Sequence, residues 1–284
     1  MTQLTAGSTW AWVNGVPGAQ VSIQDRGFQY GDGLFETMRV QHRRVRFLEL
    51  HLQRLRDGCE RLLIQGVDHA LIRDELTDAA AMSEEAILKL IVTRGEAARR
   101  GYDGRHAGSP SRVMTLIAGL PPAPDSAQIG ISQIVLGDSP ALSGIKHLNR
   151  LENVLARTTM PTGLDEVLLC DRRGAIISGS MTNVFVVSGA TLLTPRLDRC
   201  GVAGVMRQVV MREARDIGFT VRDARFAQAE LDHAAEIFLT NARIGVWPVS
   251  QCLGRSLGVG AATRALRERL DALDATGYAL GPAP

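Results

Sequence analysis

Covalent amine chemistry in this chain has two possible carriers, because Lys89 and Lys146 are the only lysines among its 32 basic side chains. A nucleophilic amine must be primary, sheltered from water and able to lose its proton near neutral pH, and the permanently charged guanidinium of arginine cannot replace it. The shortage of lysine is compositional, as expected where a GC-rich genome favours arginine at solvated positions. Its use is that it narrows the search. Lys146 lies in GIKHLNRLENVLAR, residues 144–157. Its neighbours Ile145, Leu148 and Leu151 predict partial burial where a loop enters a helix, and burial favours the free amine. A solvated lysine opening a helix is the competing reading, and the commoner one for lysines at large. Lys89 sits between Leu88 and Leu90 in a strand-like run, where an edge position with the ammonium in water accounts for it.

Three further groups could serve an anion. Arg54, in HLQRLR, falls between Leu52 and Leu55, at the rim of an apolar helical stripe where its planar fork could grip a phosphate; a helix-surface arginine is the alternative. GVAGVMRQ (201–208) sets two glycines before a helix, whose exposed first amides favour negative charge. Glycine at a helix start is also common for capping alone. FLTNARIG (238–245) brings Thr240, Asn241 and Arg243 after a strand, either to complete a phosphate cup or as a polar turn, with Arg243 facing a substrate carboxylate or solvent.

The elements that must position these residues can be read from periodicity. STWAWVNG ends in an Asn-Gly turn signal, AQVSI alternates, and LFETMRVQHRRVRF follows the glycines of YGDG, which together predict the start of an antiparallel sheet. Leu48, Leu52, Leu55, Cys59, Leu62 and Leu63 have helical spacing, and a second helix is expected over 69–82. AILKLIVTR and RVMTLIAGL read as strands joined by the polar GEAARRGYDGRHAGSPS. Three prolines in LPPAPDSAQ mark residues 120–128 as the expected linker, dividing a domain of residues 1–119 from one of residues 129–284 that would hold Lys146. In the second half, strands are expected at ISQIVLG, EVLLCD, AIISGSMTNVFVV, ATLLTPRL and EIFLTNA, and the chain is expected to pass through the Lys146 segment into a helix ending near Thr159, with further helices over 204–217 and 261–273. Strands and helices mix without a βαβ rhythm, so the class is α+β.

Composition excludes several functions. The 284 residues are 45% apolar and 22% charged, without an apolar run of about 18 that could span a bilayer. A net charge of +2, from 32 basic and 30 acidic groups spread along the chain, disfavours nucleic acid as a partner. Cys59, Cys170, Cys200 and Cys252 are far apart, with no CxxC pair and no histidine at zinc-like spacing, and MTQLTAGSTW has no signal-like segment. No metal is expected. A reduced, cytoplasmic compartment is, with the cysteines packed as small hydrophobes.

A sheltered amine together with a phosphate cup points to a phosphorylated aldehyde as cofactor. DRGFQYGDGLFETMRV (25–40), HLQRL (51–55), KLIVTRG (89–95), GIKHLNRLENVLAR, SGSMTNVF (178–185), TPRLDRCGVAGVMR (194–207) and FLTNARIGVWPV (238–249) resemble, in the same order and over most of the chain, the class IV pyridoxal-phosphate enzymes. That class includes branched-chain and D-amino-acid aminotransferases and the 4-amino-4-deoxychorismate lyases, and KHLNRLENVLAR with RCGVAGVMR is most similar to the lyases. The resemblance implies the two-domain fold of that class, pyridoxal 5'-phosphate at the domain junction, a homodimer and a small-molecule substrate. It implies Lys146 as the Schiff-base lysine, Arg54, the amides of Val205 and Met206, and Thr240 at the phosphate, and Asn149 and Asn183 as further polar contacts. Tyr30 and Arg94 fall in motifs that face the substrate, and Arg99 or Arg100 could reach a substrate carboxylate. The loop reads AARRGY where the lyases carry GGRGY. At Ser178, five residues before Asn183, the class commonly carries a glutamate that pairs with the pyridine nitrogen; a hydroxyl there would leave the ring less positive and weaken it as an electron sink. Three activities stay open: lyase, aminotransferase of the same class, and non-catalytic cofactor binding.

Overall fold

The computed structural model describes residues 7–18, 20–122 and 124–275. Most of the N-terminal MTQLTAGSTW, and Ala123 of the expected linker, lie outside them. Two compact units are present, one within Met1–Pro122 together with Ile145–Asn149, the other within Ala123–Gly144 and Arg150–Pro284.

The first unit runs β1 (Thr9–Val13), β2 (Val16–Pro17), α1 (Arg26–Tyr30), β3 (Gly33–Gln41), β4 (Arg44–Val45), α2 (Leu48–Arg61), α3 (His69–Ala81), β5 (Glu85–Thr93) and β6 (Ser111–Ala118). Its sheet is antiparallel in the order β2-β1-β6-β5-β3-β4. β3 alternates, so that Leu34, Glu36, Met38 and Val40 share its buried face. Against β3 packs α2, with Leu52, Leu55 and Cys59 buried at the expected spacing. Each fully buried leucine here stabilises the unit by about 2 kcal/mol.

Three expectations are corrected in this unit. Of the expected strand AQVSI, Ala19 lies outside the described residues and residues 20–23 are not a strand: Val21 and Ile23 are exposed, with no sheet to bury them. Instead, Asp25 accepts the Gly27 N–H and caps the short helix α1. Leu63 lies outside the buried stripe, since α2 stops at Arg61 and Leu63 takes a positive φ of 55° in solvent. Lys146, expected in the second domain, belongs to the first unit. β4 pairs only with Val40 and Gln41, which would leave the Gly33–Phe35 edge of β3 with unpaired backbone groups. Residues 146–148 fill that edge: the Phe35 N–H donates to the Lys146 carbonyl and the Leu148 N–H to the Gly33 carbonyl, both at 3.0 Å.

The second unit runs β7 (Ala127–Leu136), α4 (Leu151–Thr158), β8 (Glu166–Asp171), β9 (Ile176–Gly179), β10 (Asn183–Ser188), β11 (Thr191–Pro195), α5 (Val205–Asp216), β12 (Thr220–Ala224), α6 (Gln228–Asp232), β13 (Glu236–Asn241), β14 (Gly245–Cys252), β15 (Arg255–Ser256) and α7 (Ala261–Ala275). The sheet order is β12-β11-β10-β13-β14-β7-β8-β9, with β15 on β14, and parallel pairs (β11·β12, β14·β7, β7·β8) mix with antiparallel ones. β7 begins at Ala127, inside the stretch expected to be linker, where Ala127 is buried against β14. AIISGSMTNVFVV forms two strands instead of one. The cause is Glu166, wholly buried, whose carboxylate accepts the N–H groups of Ser180 and Met181 and the hydroxyls of Ser180 and Thr182. Those four donors turn the chain between β9 and β10, which sets where Ser178 and Asn183 stand. Among the described residues no helix is long and apolar enough to cross a membrane.

Candidate active site

Lys146 is half-buried, and its Nζ lies 4.2 Å from the centroid of the Phe35 ring. Lys89 also reaches that ring, at 5.5 Å, and is exposed, but β5 is paired on both sides, by β3 and by β6, so Lys89 is not the expected edge lysine: its side chain lies on the exposed face of the sheet. On the buried face of β3, Glu36 takes both ends of the Arg54 fork: Nε donates to Oε1 at 2.8 Å and Nη2 to Oε2. His51, 1% exposed on α2, lies with Nδ1 2.6 Å from the same Oε2. Burial alone would raise the Glu36 carboxyl, yet the charge of Arg54 and the His51 contact outweigh it and bring the pKa down to about 2. Burial pushes His51 the other way, below the usual histidine range, and the positive charges of Arg54 and Lys146 add to that. Neutral His51 therefore donates from Nδ1 to an ionised Glu36.

Neither Glu36 nor His51 was singled out from sequence. The signal was present: a carboxylate at a period-two position between Leu34 and Met38, and a histidine inside a helical apolar stripe, are both polar groups on faces that bury.

The substrate-facing candidates are drawn into a second network of this unit. Arg94 donates Nε and Nη2 to Asp32 and also reaches the Leu62 and Leu63 carbonyls at 2.7 Å. Its guanidinium is thus spent on protein acceptors, which favours a structural role over the substrate role expected for it. Buried Arg26 shares that carboxylate: its Nε donates to Asp32 Oδ2, the oxygen that Arg94 Nε also uses, Nη1 to the Gly101 carbonyl and Nη2 to the Tyr102 carbonyl, each at 2.8 Å. Its guanidinium lies 5.0 Å from the Tyr30 ring centroid, the Tyr30 hydroxyl accepts the Gly101 N–H at 3.3 Å, and Tyr102 meets Tyr30 edge-on. Arg26 and Asp32 therefore hold the 99–102 loop to Tyr30, leaving Arg99 and Arg100 exposed on it. Asn149 Nδ2 donates to the Gly31 carbonyl, and a Cβ at Gly31, whose φ is +67°, would sit 2.5 Å from Asn149 Oδ1. That pairing makes Asn149 a tie for the end of α1.

The second unit carries the candidate anion site. Gly204 caps α5 without a side-chain bond, so the first amides of the helix, those of Val205 and Met206, meet no capping oxygen. Asn183 lies opposite Thr240 in the β10–β13 register, donates Nδ2 to the Val202 carbonyl at 2.9 Å, and would meet a Cβ at Gly204 at 2.1 Å. Only glycine lets the chain pass Asn183 that closely. The Thr240 hydroxyl oxygen is buried and has no hydrogen-bond partner, a costly state unless something supplies one. An uncapped helix start beside an orphaned hydroxyl fits a phosphate. Ser178 is buried on β9, paired with Leu169. Asn241 is otherwise employed: its Oδ1 accepts the N–H groups of Arg243 and Ile244 and closes a polar turn, with the half-buried Arg243 inside it.

Burial pushes the thiols of Cys59, Cys200 and Cys252 up to about 11 and raises that of Cys170, so all four are protonated at neutral pH. Among the described residues no three His, Cys, Asp or Glu side chains are grouped to hold a metal ion.

Comparison with known proteins identifies the family and the fold. Residues 33–252 match the family model for amino-transferase class IV. The chain is 33% identical to an aminodeoxychorismate lyase of Vibrio harveyi, over 84% of this chain and 90% of that one. It is 31% identical to a putative branched-chain-amino-acid aminotransferase of Methanocaldococcus jannaschii, over 88% and 90% of the two chains. Among solved structures it is similar to the 4-amino-4-deoxychorismate lyase of Pseudomonas aeruginosa, with a TM-score of 0.88 and 41% identity over 93% of this chain and 99% of that one. A family model matched over residues 33–252, together with a relative 33% identical over 84% of this chain, shows that the chain belongs to the class IV aminotransferase family.

Proposed function

We propose that this protein is a lyase that converts 4-amino-4-deoxychorismate to 4-aminobenzoate and pyruvate, a step toward folate, in the cytoplasm and as a homodimer. Its cofactor is pyridoxal 5'-phosphate. Arg54, Val205, Met206 and Thr240 would hold the phosphate, Asn183 would fix the close approach of Gly204, and Lys146 would hold the aldehyde. When bound, the cofactor supplies an aldehyde that joins primary amines and a ring that draws electrons from the carbon beside the nitrogen. Lys146 Nζ, as a free amine, would take the proton from the ring carbon that carries the substrate nitrogen. The bond from the ring to the enolpyruvyl oxygen breaks, the ring becomes aromatic, and the released enolpyruvate takes a proton at its methylene carbon to give pyruvate. Tyr30, Arg100 and Arg243 remain the proposed substrate contacts.

Ser178 carries the choice between lyase and aminotransferase. β9 presents a buried hydroxyl where the class commonly has a carboxylate for the ring nitrogen, which leaves a weaker electron sink. Aromatisation supplies a lyase with much of its drive and a transaminase with none. The 31% identity to the archaeal aminotransferase supports transamination as the second reading. The homodimer is supported by Leu151, Val154 and Leu155, one exposed apolar stripe on α4.

A product assay separates the readings. Incubated with 4-amino-4-deoxychorismate, the protein is expected to release 4-aminobenzoate and pyruvate in equal amounts, and with D-alanine or a branched-chain amino acid plus 2-oxoglutarate to form no glutamate. Glutamate without 4-aminobenzoate would establish the aminotransferase, and neither product would establish a non-catalytic binder.

Thr240→Val tests the phosphate site with opposite signs in two states. Losing a buried hydroxyl without a partner is expected to stabilise the cofactor-free protein by about 1 kcal/mol, while losing a hydrogen bond to a charged phosphate weakens cofactor affinity about tenfold or more. Thermal melts and cofactor titration read the two effects; unchanged affinity removes Thr240 from the site.

A further inference from the structure

We propose that Glu36, braced by His51, is a positioning residue for the cofactor phosphate: it fixes the plane of the Arg54 guanidinium and so the direction in which that group offers its donors. The proposal deepens the assignment of Arg54 as a phosphate ligand and rests on it. A carboxylate on the face of β3 that buries Leu34, Met38 and Val40 is unfavourable unless its oxygens are fully used, and here they are. Arg54 engages both oxygens through one edge, Nε and Nη2, and His51 closes on Oε2 at 2.6 Å. The two-point contact removes rotation about the guanidinium axis, which a single hydrogen bond would allow. His51 is itself 1% exposed within α2, so the brace cannot swing into water. Since burial keeps His51 neutral, Glu36 cancels the charge of Arg54 at a distance. What this cluster offers an anion is therefore orientation, not a net positive field.

Comparing two ligands tests this without turnover. Cofactor-free protein is titrated with pyridoxal phosphate and with pyridoxal, which has the same aldehyde and no phosphate, following absorbance. The Glu36→Gln side chain keeps the shape but turns an NH2 toward donors. It is expected to lower affinity for pyridoxal phosphate about tenfold and to change that for pyridoxal by less than about twofold, with Glu36→Asp in between. Equal loss for both ligands, or loss for neither, overturns the proposal. Should Glu36→Gln fail to fold by circular dichroism, His51→Gln is read the same way: a several-fold fall in the phosphate preference supports the brace, and an unchanged preference overturns it. A wild-type protein that binds neither aldehyde overturns the cofactor assignment and this proposal together, a failure visible before any variant is made.

Discussion

Lys146→Ala is expected to lower the proposed lyase turnover by about 10^3-fold or more, because it removes both the amine proposed to hold the cofactor and the base proposed to take the substrate proton. The effect should appear in a second observable that does not depend on product. Borohydride reduction of the wild-type protein, followed by peptide mapping, should place a pyridoxyl group on Lys146, and Lys146→Ala should carry none. Lys89 is the internal control. Its Nζ also lies near the Phe35 ring, but it is exposed on β5, and Lys89→Ala should leave turnover within about twofold. Label at Lys89, or a Lys146→Ala protein with a tenth of wild-type activity, would remove Lys146 from its assigned role.

The second large effect is on acid stability, and its sign follows from the Glu36 cluster. Glu36 has its carboxyl lowered from 4.5 to about 2 in the folded protein, so its contribution is fully present above pH 4.5 and is lost as pH falls toward 2. A shift of that size corresponds to about 3 kcal/mol. His51 acts in the same direction from a higher pH: the unfolded imidazole takes a proton near 6.5 while the buried ring, held below that value, resists it. Asp32, lowered by Arg94 and Arg26 against the raising effect of burial, adds a third acidic-side loss. Denaturant melts of the cofactor-free protein should therefore show level stability above about pH 7, a decline beginning near 6.5 and a steeper fall below 4.5. In Glu36→Gln the component between 4.5 and 2 should vanish from an already lower baseline. Stability that holds or rises as the pH falls from 4.5 to 2 would contradict the buried ionised carboxylate.

How much of this could be read from the chain depended on the range of the interaction involved. Helix α2, strands β5 and β6, and the α5 start at Gly204 follow from periodicity and capping, which act over a few residues. AQVSI misled because alternation shows that a strand could form, while a partner edge decides whether it does. The division of AIISGSMTNVFVV into two strands depended on Glu166, fourteen to sixteen positions upstream of the groups it binds there, and no local pattern contains that pairing.

The same holds at the site. Lys146, Arg54 and Thr240 could be named from residue type and motif, since few other groups in the chain have the required chemistry. What each of them touches could not. Arg54 meets Glu36 across 18 residues, Arg94 meets Asp32 across 62, and Arg26 reaches Tyr102 across 76. By itself the sequence determined which atoms are available, the primary amine, the fork and the hydroxyl, because chemical identity is a property of one residue. Only the tertiary structure decided which are held, shielded or already spent, because burial and hydrogen-bond partners arise when distant segments pack: Lys146 on the open edge of β3, Arg94 committed to Asp32, and Thr240 left with a buried oxygen that has no partner.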